Sequence, residues 1–316
     1  MAEIVRYVDR DVVGGTGDGT SWANAYATLD AWQTAEATDL VAATDTHTVY
    51  YRADSSNPRT TVFGMSGWTQ DATYRVHLIV PLENRHTAQR NTGTRLSVGA
   101  QDVSTAFSVQ DYTIIEGLSV EKTGTTAGFL GTNSVFIGCF HYGGSTGIRL
   151  AAGTVAINCI SITIGYSFHG TPGTDNTAWA INCTGVTTGV NAFRRDSGTV
   201  VAISCYGYAE TGTGFSQFGM SGSQNNLSDD GTHNSSQADY SNLNFVETTA
   251  ESENLTLTSA SALVDAGQDN SAHAAWRGGS VDILGNSRPQ GTEWDIGAHE
   301  FVDDTALPMP QYIYGA

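Results

Sequence analysis

Short runs in which apolar and polar residues alternate fill most of the chain, each bounded by Gly, Asn, Ser or Thr. Alternation with a period of two marks a strand that buries one face. The 3.6-residue period of an amphipathic helix shows in one segment, residues 26–37, where Leu29, Trp32 and Ala25 or Ala35 share a face. The pattern predicts an all-β chain with one short helix.

Five of the β-type runs align as a repeat: TIIEGLSV (113–120), VFIGCFHY (135–142), VAINCISI (155–162), WAINCTGV (179–186) and VAISCYGY (201–208). The third column reads Ile115, Ile137, Ile157, Ile181, Ile203, and the fifth Gly117, Cys139, Cys159, Cys183, Cys205. The eighth reads Val120, Tyr142, Ile162, Val186, Tyr208. Successive offsets are 22, 20, 24 and 22 residues, and one column holds all 4 cysteines. One alternating strand and one turn per repeat describe a coil of a parallel β-solenoid, equal columns stacking at ~4.8 Å. Period two sets the first, third and fifth columns inward. Ile137, Ile157, Ile181 and Ile203 with Cys139, Cys159, Cys183 and Cys205 are then the predicted core ladder, its thiols reduced and serving as small apolar fillers. A leucine-rich consensus is missing. A right-handed parallel β-helix of three short strands per coil fits best. Further coils at 48–51, 76–80, 95–98, 244–246 and 255–257 make roughly ten coils and a rod of ~50 Å.

Open solenoid ends expose core and strand edges, so both ends need covers. The 26–37 helix, introduced by the glycine loop 14–22, is the expected N-terminal cap, and the stretch from Asp282 to Phe301 the closing turn. The predicted organisation is a cap over 1–40, the β-helix with its closing turn over 41–301, and an extended C-terminal arm over 302–316. In the arm, Pro308 and Pro310 disfavour helix, and Met309, Tyr312, Ile313 and Tyr314 supply interface-type side chains.

Charge narrows the partners. The formal net charge is −18 and Lys122 is the one lysine, so no basic surface exists for nucleic acid or an anionic membrane. No window is apolar enough for a transmembrane helix, and residues 1–6 lack the apolar core of a signal peptide. Synthesis in a host cytoplasm is the expectation. Four cysteines are too few for a disulfide scaffold.

The opening Tyr7-Val8-Asp9 with GGTGDGTSWANAYATL (14–29) resembles the start of right-handed parallel β-helix proteins of the pectate-lyase-like superfamily, of the type found in phage virion proteins. The ending Leu263-Val264-Asp265-Ala266-Gly267, Asp282-Ile283, Arg288-Pro289 and DIGAHEF (295–301) resembles their C-terminal signature, so the likeness spans roughly 7–301. It implies the fold. It does not fix an activity, because the scaffold hosts lyases, hydrolases, adhesins and virion parts.

A pectate lyase would need clustered aspartates for calcium and a basic residue beside the uronate carboxylate. Asp175, Arg194, Arg195 and Asp196, in turns one coil apart, are the candidates, although an Arg-Arg-Asp run also suits a solvated ion pair. Asp229-Asp230 is half of a glycosidase carboxylate pair without a legible partner. Loop 14–20 matches no phosphate-binding pattern, and the histidines show no zinc spacing. Asp282, Arg288, Asp295 and Glu300 read as an ion-pair network locking the last coil. The same acids could bind Ca²⁺ through their oxygens, and no other cofactor is expected. The resulting expectation is a rigid, non-catalytic virion protein, a capsid decoration rather than a tail component. Its expected partners are sister subunits in a homotrimer and the major capsid protein, with a glycan possible. The alternative is a polysaccharide lyase or depolymerase acting along the β-helix face.

Overall fold

A computed structural model describes residues 2–53, 60–89, 92–93, 95–98, 106–122, 124–173, 176–217, 223–228, 245–247, 254–272 and 281–303. It is a parallel β-solenoid with about 22 residues per turn and few helices. Sheet 1 contains β1 (Glu3–Asp9), β2 (Thr46–Arg52), β4 (Val76–Ile79), β7 (Ile114–Glu116), β10 (Val135–Ile137), β13 (Val155–Ile157), β16 (Thr177–Ile181) and β19 (Thr199–Ile203). Sheet 2 contains β5 (Arg95–Val98), β8 (Ser119–Lys122), β11 (Phe140–Tyr142), β14 (Ile160–Thr163), β17 (Thr184–Thr187), β20 (Tyr206–Ala209) and β22 (Leu227–Ser228). Sheet 3 contains β3 (Phe63–Gly64), β6 (Phe107–Ser108), β9 (Ala127–Gly131), β12 (Thr146–Leu150), β15 (Tyr166–Gly170), β18 (Asn191–Arg195) and β21 (Thr213–Ser216). The longest sheet thus has 8 strands among the described residues, fewer than the roughly ten coils expected. β1, within the span read as a cap, is the first strand of sheet 1.

Register corrects the face of the isoleucine column. Ile137, Ile157, Ile181 and Ile203 pair in one row, as the repeat requires. Yet they lie on the outer face of sheet 1. The residues pointing into the main core are Phe136, Ala156, Ala180 and Ala202, together with the four cysteines. The reason is the residue between isoleucine and cysteine. Gly138, Asn158, Asn182 and Ser204 sit at φ of 49 to 55, the left-handed turn between sheets 1 and 2. Alternation does not run through that turn, so isoleucine faces out and cysteine faces in. Asn and Gly suit the position because they tolerate positive φ. The first repeat was also offset by one residue: Glu116 pairs with Ile137, which places Gly117 in the turn column.

The four cysteines are free and fully buried. Each thiol lies 3.3–3.7 Å from the carbonyls of the isoleucine two residues before it and of a residue one coil earlier. Burial pushes the Cys139 and Cys183 thiols well up. The core of sheet 3 is aromatic, with Phe168, Phe193 and Phe215 stacked at 4.6 Å.

The outward isoleucines are nonetheless buried, Ile157 and Ile181 at 0% exposure, and pack with Val135, Val155 and Trp179. Ile157→Ala is therefore expected to cost about 2–5 kcal/mol. Ala156→Leu should cost about 1–3 kcal/mol, because Ala156 faces a filled interior. Urea midpoints check both, and an Ala156→Leu variant as stable as wild type would contradict the corrected faces.

The predicted helix is α1 (Leu29–Glu36), started by Thr28, whose hydroxyl accepts from Ala31 N at 3.0 Å. Trp32 stacks on Trp68 at 5.2 Å, and Glu36 pairs with Arg6 of β1. A second short helix, α2 (Leu40–Ala43), follows. Among the described residues no helix is long and apolar enough to cross a membrane.

Two C-terminal expectations change. The runs near 244–246 and 255–257 are not coils: β23 (Phe245–Glu247) and β24 (Asn254–Leu257) pair antiparallel. Nor does the stretch from Asp282 to Phe301 close the solenoid end. It lies on the flank of sheet 2, where Ile283 and Ala298 pack on Phe140, Ile160 and Ile162. Gly297 N bonds Ser204 O at 2.8 Å, Ala298 N bonds Thr184 Oγ1 at 3.1 Å, and Asn158 Nδ2 donates to Val281 O. An apolar outer face on sheet 2 demands a cover. The left-handed turn ladder supplies the polar groups that fix it. The arm residues Met309, Tyr312, Ile313 and Tyr314 lie outside the described residues, as do Asp175, Asp229 and Asp230.

Candidate functional site

Parallel pairing brings outward side chains of sheet 3 into one axial row. Leu130 pairs with Arg149, Arg149 with His169, His169 with Arg194, and Arg194 with Ser216. The residues just before them, Phe129, Ile148, Phe168, Phe193 and Phe215, lie in the core, so these side chains stand on the outer face, one coil (~4.8 Å) apart.

Arg194 and Asp196, two of the sequence candidates, meet directly, with Arg194 Nε 2.6 Å from Asp196 Oδ1. His169 Nε2 lies 2.7 Å from the other oxygen, Oδ2. Burial disfavours the charged Asp196, but the hydrogen bonds from Arg194 and His169 outweigh it and hold the carboxyl below the usual range. An ionised carboxylate only accepts, so His169 Nε2 donates to it and Nδ1 is the nitrogen left facing away from Asp196. Tyr166 completes the group. Its ring lies 4.9 Å from that of His169 and 5.0 Å from the Arg194 guanidinium, and its hydroxyl accepts from Arg194 Nη1 at 3.2 Å.

Arg149 is exposed and bonds Thr171 Oγ1 through Nε at 2.9 Å. Among the described residues no carboxylate pairs with it. Arg195, the third candidate, turns away and donates to Gly198 O at 3.0 Å. Among the described residues the row therefore carries two guanidinium groups and an imidazole against one carboxylate, on a chain of net charge −18. Sequence reasoning missed Arg149, Tyr166 and His169. A signal existed: TGIRL, YSFHG and NAFRR follow the aligned strands and place Arg149, His169 and Arg194 in one column.

Two other polar clusters are structural. Arg85 Nη2 and His77 Nε2 bind the two oxygens of Glu116 at 2.5 and 3.2 Å. Burial raises the Glu116 carboxyl, but those partners prevail and bring it down to about 2. At the C-terminal stretch, Arg288 Nη1 pairs with Glu300 Oε2 at 3.0 Å, both side chains fully buried. Asp282 and Asp295 complete this network by accepting backbone N–H groups of Leu284, Asn286, Glu300, Asp265 and Phe301. Burial pushes Asp295 up to about 7 and also raises Glu300. No group of three metal-ligating residues occurs among the described residues.

No family model matches the sequence, and no curated protein matches it. Among solved structures, the crystal structure of pectate lyase Pel9A is similar, at 13% identity and a TM-score of 0.49, over 95% of this chain and 97% of that one. The fold, an all-β parallel β-solenoid, is given by the chain's own strand pairing.

Proposed function

We propose that the protein is a rigid, non-catalytic recognition solenoid of a virion surface, a capsid decoration, that holds an acidic polysaccharide along the outer face of sheet 3. The observation that carries this reading is the outward row in which the cations Arg149 and Arg194 flank His169, with the Tyr166 ring beside it. Arginine forks match carboxylate or sulfate groups, and an aromatic face packs on the apolar side of a sugar ring. Coil-to-coil pairing of the backbone favours stiffness. Right-handed winding, the rule for parallel crossovers, and an N-terminal end covered by α1 belong to the same reading. So does attachment through the 306–316 arm to sister subunits of a homotrimer or the major capsid protein.

The test is calorimetric titration with galacturonate oligomers at low salt. Binding should weaken about tenfold or more in Arg149→Ala and again in Arg194→Ala, and should fall as salt rises. Unchanged affinity in both variants would remove the row from the account.

The His169–Asp196 pair favours one alternative, a polysaccharide lyase or depolymerase. His169 Nδ1 would take the proton from the carbon beside a carboxylate neutralised by arginine. That electron pair would form a C=C bond, the glycosidic C–O bond would break, and the leaving oxygen would gain a proton. Ultraviolet absorbance of an unsaturated uronate, growing with wild type and lost in His169→Ala, would replace the non-catalytic reading with this one.

A further inference from the structure

The glycine loop before α1 builds a second surface, at the N-terminal end of the solenoid. Backbone bonds tie the loop to β1: Tyr7 N donates to Gly19 O at 2.9 Å, and Tyr26 N to Tyr7 O at 3.0 Å. A short 3-10 turn (Trp22–Asn24), capped by the Ser21 side chain, then positions Trp22. Val8 and Tyr51 face the core, so Tyr7 and Tyr50, paired across β1 and β2, face out. Their rings stack at 5.5 Å, and the Trp22 ring meets Tyr7 edge-on at 4.8 Å and 62°. The Arg52 guanidinium lies 4.0 Å from the Trp22 ring centroid, and Asp9 Oδ2 holds its Nη2 at 2.8 Å. The three rings and Arg52 are all half-buried.

The result is a fixed aromatic corner. Its arginine is already paired, so it offers apolar ring faces rather than charge. Clusters of Trp, Tyr and Arg of this kind carry most of the energy of protein interfaces. A proline-containing segment suits such a corner, because it is pre-ordered in an extended form and packs its rings on aromatic faces. The arm supplies one, Pro308-Met309-Pro310, and residues 306–316 carry no charged side chain. That segment approaches a chain of net charge −18 without repulsion.

A subunit does not deliver these prolines to its own corner. The arm starts after Phe301, which packs beside Tyr206 and Leu227. Tyr206 is in β20, which follows β19, and β19 is six pairing steps along sheet 1 from β2. At one strand spacing per step that is about 29 Å along the axis. The seven residues from Phe301 to Pro308 span at most about 25 Å fully extended. The path would also have to pass from the sheet 2 flank to the outer face of sheet 1. The occupant is therefore a second copy of this chain.

We propose that the corner of Tyr7, Trp22, Tyr50 and Arg52 is the receptor for the Pro308–Pro310 segment of a sister subunit. The inference rests on the arm being the attachment device and names the surface on which it lands. The contact joins two different surfaces, so it repeats head to tail, and a homotrimer closes it as a ring.

The experiment compares full-length chains by sedimentation. Pro308→Ala with Pro310→Ala breaks the arm, and Trp22→Ala with Tyr50→Ala breaks the corner. Each double variant alone should self-associate at least tenfold more weakly than wild type. Mixed, they should form a one-to-one pair and nothing larger, because one keeps a working corner and the other a working arm. A peptide of residues 304–316, in excess, should dissociate wild-type assemblies. The same peptide with a photoreactive group in place of Met309 should cross-link within residues 7–52 of the native chain, which locates the receptor without altering it. Cross-links confined to other residues, or a corner variant that assembles as wild type while the peptide still dissociates the assemblies, would overturn the corner and keep the arm. Assemblies that resist the peptide, or a monomeric wild type, would overturn both.

Discussion

Arg288→Ala is expected to cost about 3–5 kcal/mol, the usual penalty for leaving a buried charge without its partner. The guanidinium sits among three carboxylates, pairing with Glu300 and donating to the carbonyls of Asp295 at 3.1 Å and Gly297 at 2.9 Å. Asp282, Asp295 and Glu300 are at most 3% exposed. Removing the cation leaves these acids and two carbonyls in a dry site. The loss should be local as well as global. Hydrogen exchange should accelerate through residues 281–301 more than through β10 and β13, whose ladders do not depend on that stretch. It should also depend on pH. With burial holding Asp295 at about 7 and Glu300 raised, lowering the pH from 8.5 to 6.5 adds protons to the site and should recover part of the loss. Urea unfolding at the two pH values measures this. A variant with wild-type stability, or one that pH does not help, would show that the network is not held by charge.

Acid should unfold the protein well before its exposed carboxylates titrate. Four histidines are buried neutral: burial depresses His47, His86 and His299 to about 4 and His141 to about 3. An unfolded histidine titrates near 6.5. Below that pH the unfolded chain binds more protons than the folded one, so stability falls as pH drops from 6.5 towards 4. Each site contributes about 3 kcal/mol by pH 4. Asp295 works in the opposite direction. Its folded value of about 7 lies above its unfolded one, so it stabilises as pH falls through 7. Glu116, held at about 2, withdraws its contribution only below the ordinary carboxylate range. Four losses against one gain leave a net deficit on the order of 5–10 kcal/mol at pH 4, comparable to the whole stability of a domain. Maximum stability should lie above pH 7, where the histidines are neutral in both states and their loss has not begun. His141→Gln should shift the acid limb to lower pH. A urea midpoint that stays flat from pH 7 to 4 would contradict the buried-neutral assignment.

The repeat was legible because strand pairing enforces it: a column that must stack coil on coil shows as Ile137, Ile157, Ile181, Ile203 and the cysteines after them. The facing of that column was not legible. A single left-handed residue, Asn158 or Asn182, changes the phase of the alternation, and its conformation does not show in a count of apolar positions. Arg194 and Asp196 stood out because charge is scarce in this chain. His169 and Tyr166 did not, since their partners lie 27 and 28 residues away and meet them only through coil register. The flank position of the C-terminal stretch rests on contacts such as Ala298 with Thr184, 114 residues apart, which no local pattern encodes.

The central claim is that sheet 3 presents its cationic row to an acidic glycan. The most direct measurement is a crystal structure of the protein with a galacturonate-containing oligomer bound. The account predicts a chain running parallel to the solenoid axis, with carboxylates at hydrogen-bond distance from Arg149 and Arg194 and a sugar ring against Tyr166. An oligomer seated on the outer face of sheet 1, or on the flank of sheet 2 beside Ile283 and Ala298, would contradict it.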